Sequence, residues 1–203
     1  MTSRQAYAPS LHLENVAVIR GNRLVLSGLN LRVAAGELVW VRGANGCGKS
    51  TLLRVIAGLL NSTSGEVRAD GRLALADENL ALDPNLTVSD ALRFWAHMDG
   101  ATPSERDAAL TAMDLVSLSD VPVRYLSTGQ RKRASIARVL ASRCAIWLLD
   151  EPYNGLDSAS CAHLDKAILS HIGAGGIVML AAHQSPSINV SESLVLDMKG
   201  RNL

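Results

Sequence analysis

The chain has 203 residues, 48% of them hydrophobic, and a formal net charge of +1. That length supports one domain with a full core, the balanced charge offers no footprint for nucleic acid, and no run has the length and apolarity of a membrane span. The opening residues lack the apolar centre of a signal peptide, so a cytoplasmic chain is expected, and three scattered cysteines (Cys47, Cys144, Cys161) argue against a disulfide framework and a zinc site.

Alternating apolar residues at Leu11, Leu13, Val16 and Val18 predict a first strand, and 24–33 predicts another strand or a pair around Gly28. The apolar run 38–41 predicts a strand leading into Gly43-Ala44-Asn45-Gly46-Cys47-Gly48-Lys49-Ser50-Thr51, then a helix over 49–57 that Gly58 ends. Segments 66–68 and 73–76 are short strand candidates. From Thr87 to about Val116 the apolar spacing turns helical, and Thr102-Pro103-Ser104-Glu105 has the form of a capping box with proline at the first helical position. After Leu126 an α/β alternation returns: helix 127–141, buried strand 145–149, helix 158–171, buried strand 176–182, and a last short strand at 194–196.

Strand, glycine-rich turn and helix are the setting of a phosphate-binding loop. Its glycines let backbone N–H groups curl around a triphosphate, and the helix start adds its positive dipole end. Lys49 can reach the β- and γ-phosphates, and Ser50 can offer its hydroxyl to Mg²⁺. The apolar strand 145–149 ends in Asp150-Glu151. Asp150 suits Mg²⁺ held through water, and Glu151 suits a general base directed at the γ-phosphate. His183 ends the next buried strand, where an imidazole could hydrogen-bond the γ-phosphate. Cys47 reads either as a small filler of a tight turn or as a thiol activated by the helix start and Lys49.

Tyr125-Leu126-Ser127-Thr128-Gly129-Gln130, standing shortly before the Asp-Glu strand, resembles the signature of ATP-binding-cassette ATPases, usually Leu-Ser-Gly-Gly-Gln. The resemblance runs from about Leu11 to Leu203. It implies an α/β P-loop NTPase of the ABC ATPase type: a RecA-like parallel-sheet core, an antiparallel β subdomain and a short helical subdomain inserted at about 77–126, all in a single domain over 1–203. It further implies a head-to-tail homodimer with two ATP molecules between the copies. Each ATP would rest on one copy's phosphate loop, and Ser127, Thr128, Gly129 and Gln130 of the other would cap its γ-phosphate. Asp157, in Asn154-Gly155-Leu156-Asp157, matches the family's loop across that interface, and Arg131-Lys132-Arg133 reads as a solvated helix face.

Three positions depart from the family pattern. Thr128 replaces a glycine, Asn79 replaces the glutamine that serves Mg²⁺ and the membrane partner, and Arg20 occupies the place of the aromatic that stacks on adenine. Leu26-Ser27-Gly28-Leu29, Arg20, Gln130-Arg131-Lys132-Arg133 and Gly175-Gly176-Ile177-Val178 leading to His183-Gln184 are most similar to the heme-exporter ATP-binding family of cytochrome c maturation. That likeness implies a peripheral ATPase on the cytoplasmic face of the inner membrane, bound to integral membrane subunits and driving heme export or release to a periplasmic chaperone. No heme ligand pair is evident, so direct heme binding is not expected. The alternatives are an ATPase subunit for another cargo, a soluble cassette protein acting on DNA, ribosomes or iron–sulfur assembly, and a binding module with a dead site. Alkylation separates the two readings of Cys47: loss of ATP hydrolysis, prevented by bound ATP, selects the activated thiol, and unchanged hydrolysis selects the filler.

Overall fold

The computed structural model describes residues 8–79, 81–183, 188 and 193–198. Gln184 and the chain beyond Met198, both included in the resemblance, lie outside the described residues. β1 (Ser10–Arg20), β2 (Arg23–Val33) and β4 (Ser64–Asp70) form an antiparallel sheet in the order β2-β1-β4. Segment 23–33 is thus one strand, and its pairing with β1 shifts register around Leu29 and Leu26, on either side of Gly28.

β3 (Leu38–Arg42), β5 (Leu73–Ala76), β6 (Ile146–Asp150), β7 (Ile177–Ala181) and β8 (Ser193–Asp197) form a parallel sheet in the order β5-β6-β7-β3-β8. Both faces of its central strands are covered, which is why they read as unbroken apolar runs. Side chains alternate between two cores. Val39, Val41, Ile146, Leu148, Ile177 and Met179 pack with α1 (Lys49–Ile56) and the antiparallel sheet. Leu38, Trp147, Leu149, Val178 and Leu180 pack toward α4 (Thr128–Ala141), α5 (Ser158–Gly173) and the intervening helices.

Those intervening helices are α2 (Val88–Asp99) and α3 (Pro103–Ala112). Thr87 caps α2 by accepting from Asp90 N–H, and the expected capping box of Thr102 and Glu105 starts α3. The segment closes on itself at its base, where Val88 N–H donates to Val121 carbonyl and Val123 N–H to Leu86 carbonyl. Arg138 joins this layer to the sheet: its guanidinium bonds the Leu75 carbonyl of β5 and lies 4.8 Å from the Trp95 ring centre of α2. Among the described residues no helix is long and apolar enough to cross a membrane.

His171, near the end of α5, stacks on Trp147 with ring centres 3.8 Å apart, and its Nε2 lies 3.1 Å from the Ala145 carbonyl. Gly176 is required beside it, because a Cβ there would stand 2.2 Å from the His171 ring. Burial pushes the His171 pKa below the ordinary 6.5, against the pull of the Ala145 and Ile177 backbone. A depressed histidine contributes stability that is fully present above 6.5 and is lost as pH falls below it. The denaturation midpoint is therefore expected to drop from pH 7 to pH 5 more steeply in the native chain than in His171→Phe, which keeps the stack without the titration. Parallel pH dependences in guanidinium titrations would refute this.

Candidate functional site

Strand order sets the site. β7 lies between β3 and β6, so the loop after β3, the carboxylates ending β6 and His183 beyond β7 emerge side by side at the carboxyl edge of the sheet. The loop and the two carboxylates border a cleft of about 1000 Å³.

Gly48 is the N-cap of α1, with φ 107°. A Cβ there would meet Leu26 Cδ2 at 2.9 Å and Val25 Cγ1 at 3.0 Å, so only glycine seats the loop on β2. Cys47 N–H donates to Ala44 carbonyl, closing the turn. The free Cys47 thiol sits against Gly43, where a Cβ would come within 2.5 Å of Sγ, as a filler would. Asn45, Gly46, Gly48, Lys49, Ser50 and Thr51 line the cleft.

Lys49 is 6% exposed. Its Nζ donates to Gly43 carbonyl at 2.9 Å and lies 3.4 Å from both Glu151 Oε1 and His183 Nε2. His183 Nε2 is in turn 3.6 Å from Glu151 Oε1 and lies against Asn45 Oδ1. An ammonium at the positive end of a helix calls for an anion. Glu151 supplies it here, and a phosphate oxygen would serve the same need. Glu151 itself has φ 45°, a left-handed backbone that costs a non-glycine residue about 1–3 kcal/mol. Its N–H donates to Ala181 carbonyl at 2.8 Å, and its own carbonyl accepts from Asn154 N–H at 3.2 Å.

Asp150 is buried, and its Oδ1 has no hydrogen-bond partner. Burial pushes its pKa up; the Ser50 hydroxyl pulls it down, and Glu151 pushes it up again. A desolvated, under-satisfied carboxylate beside a hydroxyl is a hard oxygen donor set of the kind Mg²⁺ takes. Among the described residues no three His, Cys, Asp or Glu gather as a metal-ligand cluster.

Asn79 is not brought to this group. Its backbone N–H and its Nδ2 both bond the Asp77 carboxylate, at 2.9 and 3.3 Å, and it lines a separate cavity with Trp95 and Arg138. Asp77 and Glu78 border the main cleft instead. Arg54, on α1, holds both: Nε and Nη2 reach Asp77 Oδ2 at 3.0 and 2.9 Å, and Nη2 reaches Glu78 Oε1 at 3.0 Å. A short amide captured by its neighbour two residues back cannot extend further. Arg20, the last residue of β1, does line the main cleft.

In the signature segment, Ser127 Oγ accepts from Gln130 N–H at 3.2 Å and Gln130 Oε1 accepts from Ser127 N–H at 2.8 Å, a capping box that starts α4. Both side chains are engaged there, while Thr128 and Gly129 border the cleft. A Cβ on Gly129 would stand 3.1 Å from Gly155 carbonyl, so the signature turn packs against the loop ending in Asp157. Asp157 caps α5 through Ser160 N–H at 2.7 Å, and that bond lowers its pKa.

The basic run is not a solvated face. Arg133 bonds the Met113 and Asp114 carbonyls and the Asp114 carboxylate, and half-buried Lys132 donates to Asp150 carbonyl at 2.9 Å; only Arg131 is exposed. Sequence reasoning missed Lys132 and Ser135 as cleft residues. Their helical spacing from Thr128 puts all three on one face of α4, a signal present in the pattern.

The family profile described as ABC transporter matches residues 26–154. The chain is 50% identical to the cytochrome c biogenesis ATP-binding export protein CcmA of Sphingopyxis alaskensis, covering 92% of this chain and 96% of that protein. It is 48% identical to the protein of that name from Zymomonas mobilis, covering 92% and 84%. Among solved structures it resembles a putative ABC transporter ATP-binding protein from Pyrococcus furiosus, with TM-score 0.78, 25% identity, and coverage of 92% and 97%. It also resembles the ATP-binding cassette MJ0796 in a dimeric post-hydrolysis state bound to ADP and Pi, with TM-score 0.77, 26% identity, and coverage of 86% and 88%.

Asp150→Asn tests the charge balance of the site. It removes a carboxylate whose burial, with Glu151 and Asp77, outweighs the help of Ser50 and Lys132, so the nucleotide-free protein is expected to melt higher, by about 2–4 °C for each kcal/mol of charge penalty relieved. Calorimetry that finds an unchanged or lower Tm would show that the chain itself already compensates this charge.

Proposed function

We propose what this chain drives from what it is: it belongs to the ABC transporter family, and within it to the cytochrome c biogenesis ATP-binding export proteins, and it hydrolyses ATP. It acts as the peripheral ATPase on the cytoplasmic face of the cell membrane, bound to integral membrane subunits. It powers the export of heme, or its release to a periplasmic chaperone, during cytochrome c maturation. The polypeptide works as a single ATPase domain with 77–126 as its inserted helical part. It contacts neither nucleic acid nor heme directly.

The observation that carries this reading is the convergence of Lys49, Glu151 and His183 within 3.4–3.6 Å at the carboxyl edge of the parallel sheet. ATP lies with its triphosphate on loop 43–51, and Arg20 offers its guanidinium plane to the base. A γ-phosphate oxygen takes the place of Glu151 as counter-charge to Lys49, which frees the carboxylate. Glu151 then accepts a proton from water as the water oxygen bonds to phosphorus and the bond from phosphorus to the β,γ-bridging oxygen breaks. His183 donates its N–H to the γ-phosphate. When bound, Mg²⁺ is held by Ser50 and Asp150 and neutralises phosphate charge. Asn79 is not among its holders in this reading.

A second copy completes the site head to tail. The start of its α4, from Ser127 to Gln130, presents a positive helix end to the γ-phosphate, and Asp157 lies at the same interface. The dimeric cassette with ADP and Pi supports the pairing. Loss of the γ-phosphate weakens the bridge and opens the dimer.

Glu151→Gln is expected to bind ATP normally, to lose turnover by ~100-fold or more, and to run as a dimer in gel filtration with ATP. Undiminished hydrolysis would put the base elsewhere. Heme titrated into the isolated chain is expected to give no axial-ligation spectrum; a stoichiometric one would make this subunit a heme carrier.

A further inference from the structure

We propose that Lys132 is the positioning residue for the hydrolytic base: from the signature helix it fixes the peptide that joins Asp150 to Glu151. The inference deepens the reading above and rests on Glu151 being that base.

Glu151 holds a left-handed backbone at φ 45°, a conformation that a non-glycine residue keeps only when its surroundings over-determine it. Here the surroundings are three hydrogen bonds from three elements. β7 takes the Glu151 N–H through Ala181 carbonyl at 2.8 Å. The following turn supplies Asn154 N–H to the Glu151 carbonyl at 3.2 Å. The third bond is the Lys132 ammonium on the Asp150 carbonyl at 2.9 Å. The Asp150 carbonyl and the Glu151 N–H are opposite ends of one peptide plane, so Lys132 and Ala181 together fix its orientation. Lys132 is the only side chain among the three partners, so it is the clamp that substitution can remove.

A packing role alone does not account for this group. An aliphatic residue would fill the same part of α4 without burying an ammonium, which is costly unless its charge is used. The carboxylates that favour its charge are Asp150, Glu151 and Asp77, all of which border the cleft. The ammonium meets a neutral carbonyl one peptide away from the base, and that bonded partner is backbone rather than a side chain proposed to hold substrate. It therefore acts through Glu151.

The test uses the full chain with Lys132→Met, which keeps the aliphatic stem, and Lys132→Arg, which keeps a cationic donor. Each is made alone and with Glu151→Gln. Lys132→Met is expected to bind a slowly hydrolysed ATP analogue within ~2-fold of wild type while kcat falls by ~10-fold or more, as expected for a misplaced base. Lys132→Arg is expected to recover most of kcat. In the Glu151→Gln background, Lys132→Met is expected to lower the residual turnover by less than ~2-fold, because the two changes act on one unit. If Lys132→Met does not fold, Lys132→Gln carries the same comparison. Wild-type kcat in Lys132→Met, lost analogue binding, or an undiminished loss on top of Glu151→Gln would each overturn the inference alone. Wild-type turnover in Glu151→Gln by itself would overturn the base assignment, and the inference with it.

Discussion

The site is organised around one buried ammonium. Lys49 sits at the start of α1, almost without solvent, where the helix dipole disfavours its charge. Two loop carbonyls, a carboxylate and an imidazole surround it. The carbonyls belong to its own loop after β3, while the carboxylate and the imidazole follow β6 and β7 and are in reach because β7 alone separates β3 from β6. Exchanging the places of β6 and β5 would carry Asp150 and Glu151 about 5 Å further from the loop. The fold thus matters to the chemistry chiefly through strand order.

Around that centre the structure builds two ties between layers. Arg54 links α1 to the loop after β5 by holding Asp77 and Glu78, and Asp77 in turn holds Asn79. Lys132 links α4 to the end of β6. The first tie joins the phosphate-loop helix to the entrance of the helical segment, and the second joins the signature helix to the carboxylate edge. Both use a cation from a helix and an oxygen at a strand end. Arg138 repeats the pattern at the far side of α4, on the Leu75 carbonyl. Such contacts add direction to the apolar packing that holds the helices against the sheet.

Much of this was written in local pattern. The phosphate loop is contiguous, so its glycines, Lys49 and Ser50 could be read as one unit. The apolar runs ending in Asp150 and before His183 betrayed strands covered on both faces, and the capping box of Thr102 and Glu105 marked its helix to the residue. The same logic, applied to Ser127 and Gln130, would have shown that both are engaged in starting α4.

What tertiary structure alone decided concerns residues distant in sequence. A run of arginines and a lysine carries no mark of which member turns inward, because that depends on what α4 packs against; its local pattern predicts a solvated face, and the structure leaves only Arg131 exposed. Asn79 is bonded by Asp77 two residues back, and the Arg54–Asp77 ion pair that holds that carboxylate joins residues no local pattern relates. Element type follows from near neighbours along the chain, and the sequence by itself determined it here. Which charges meet follows from the order in which strands lie side by side, and that order is a property of the folded whole.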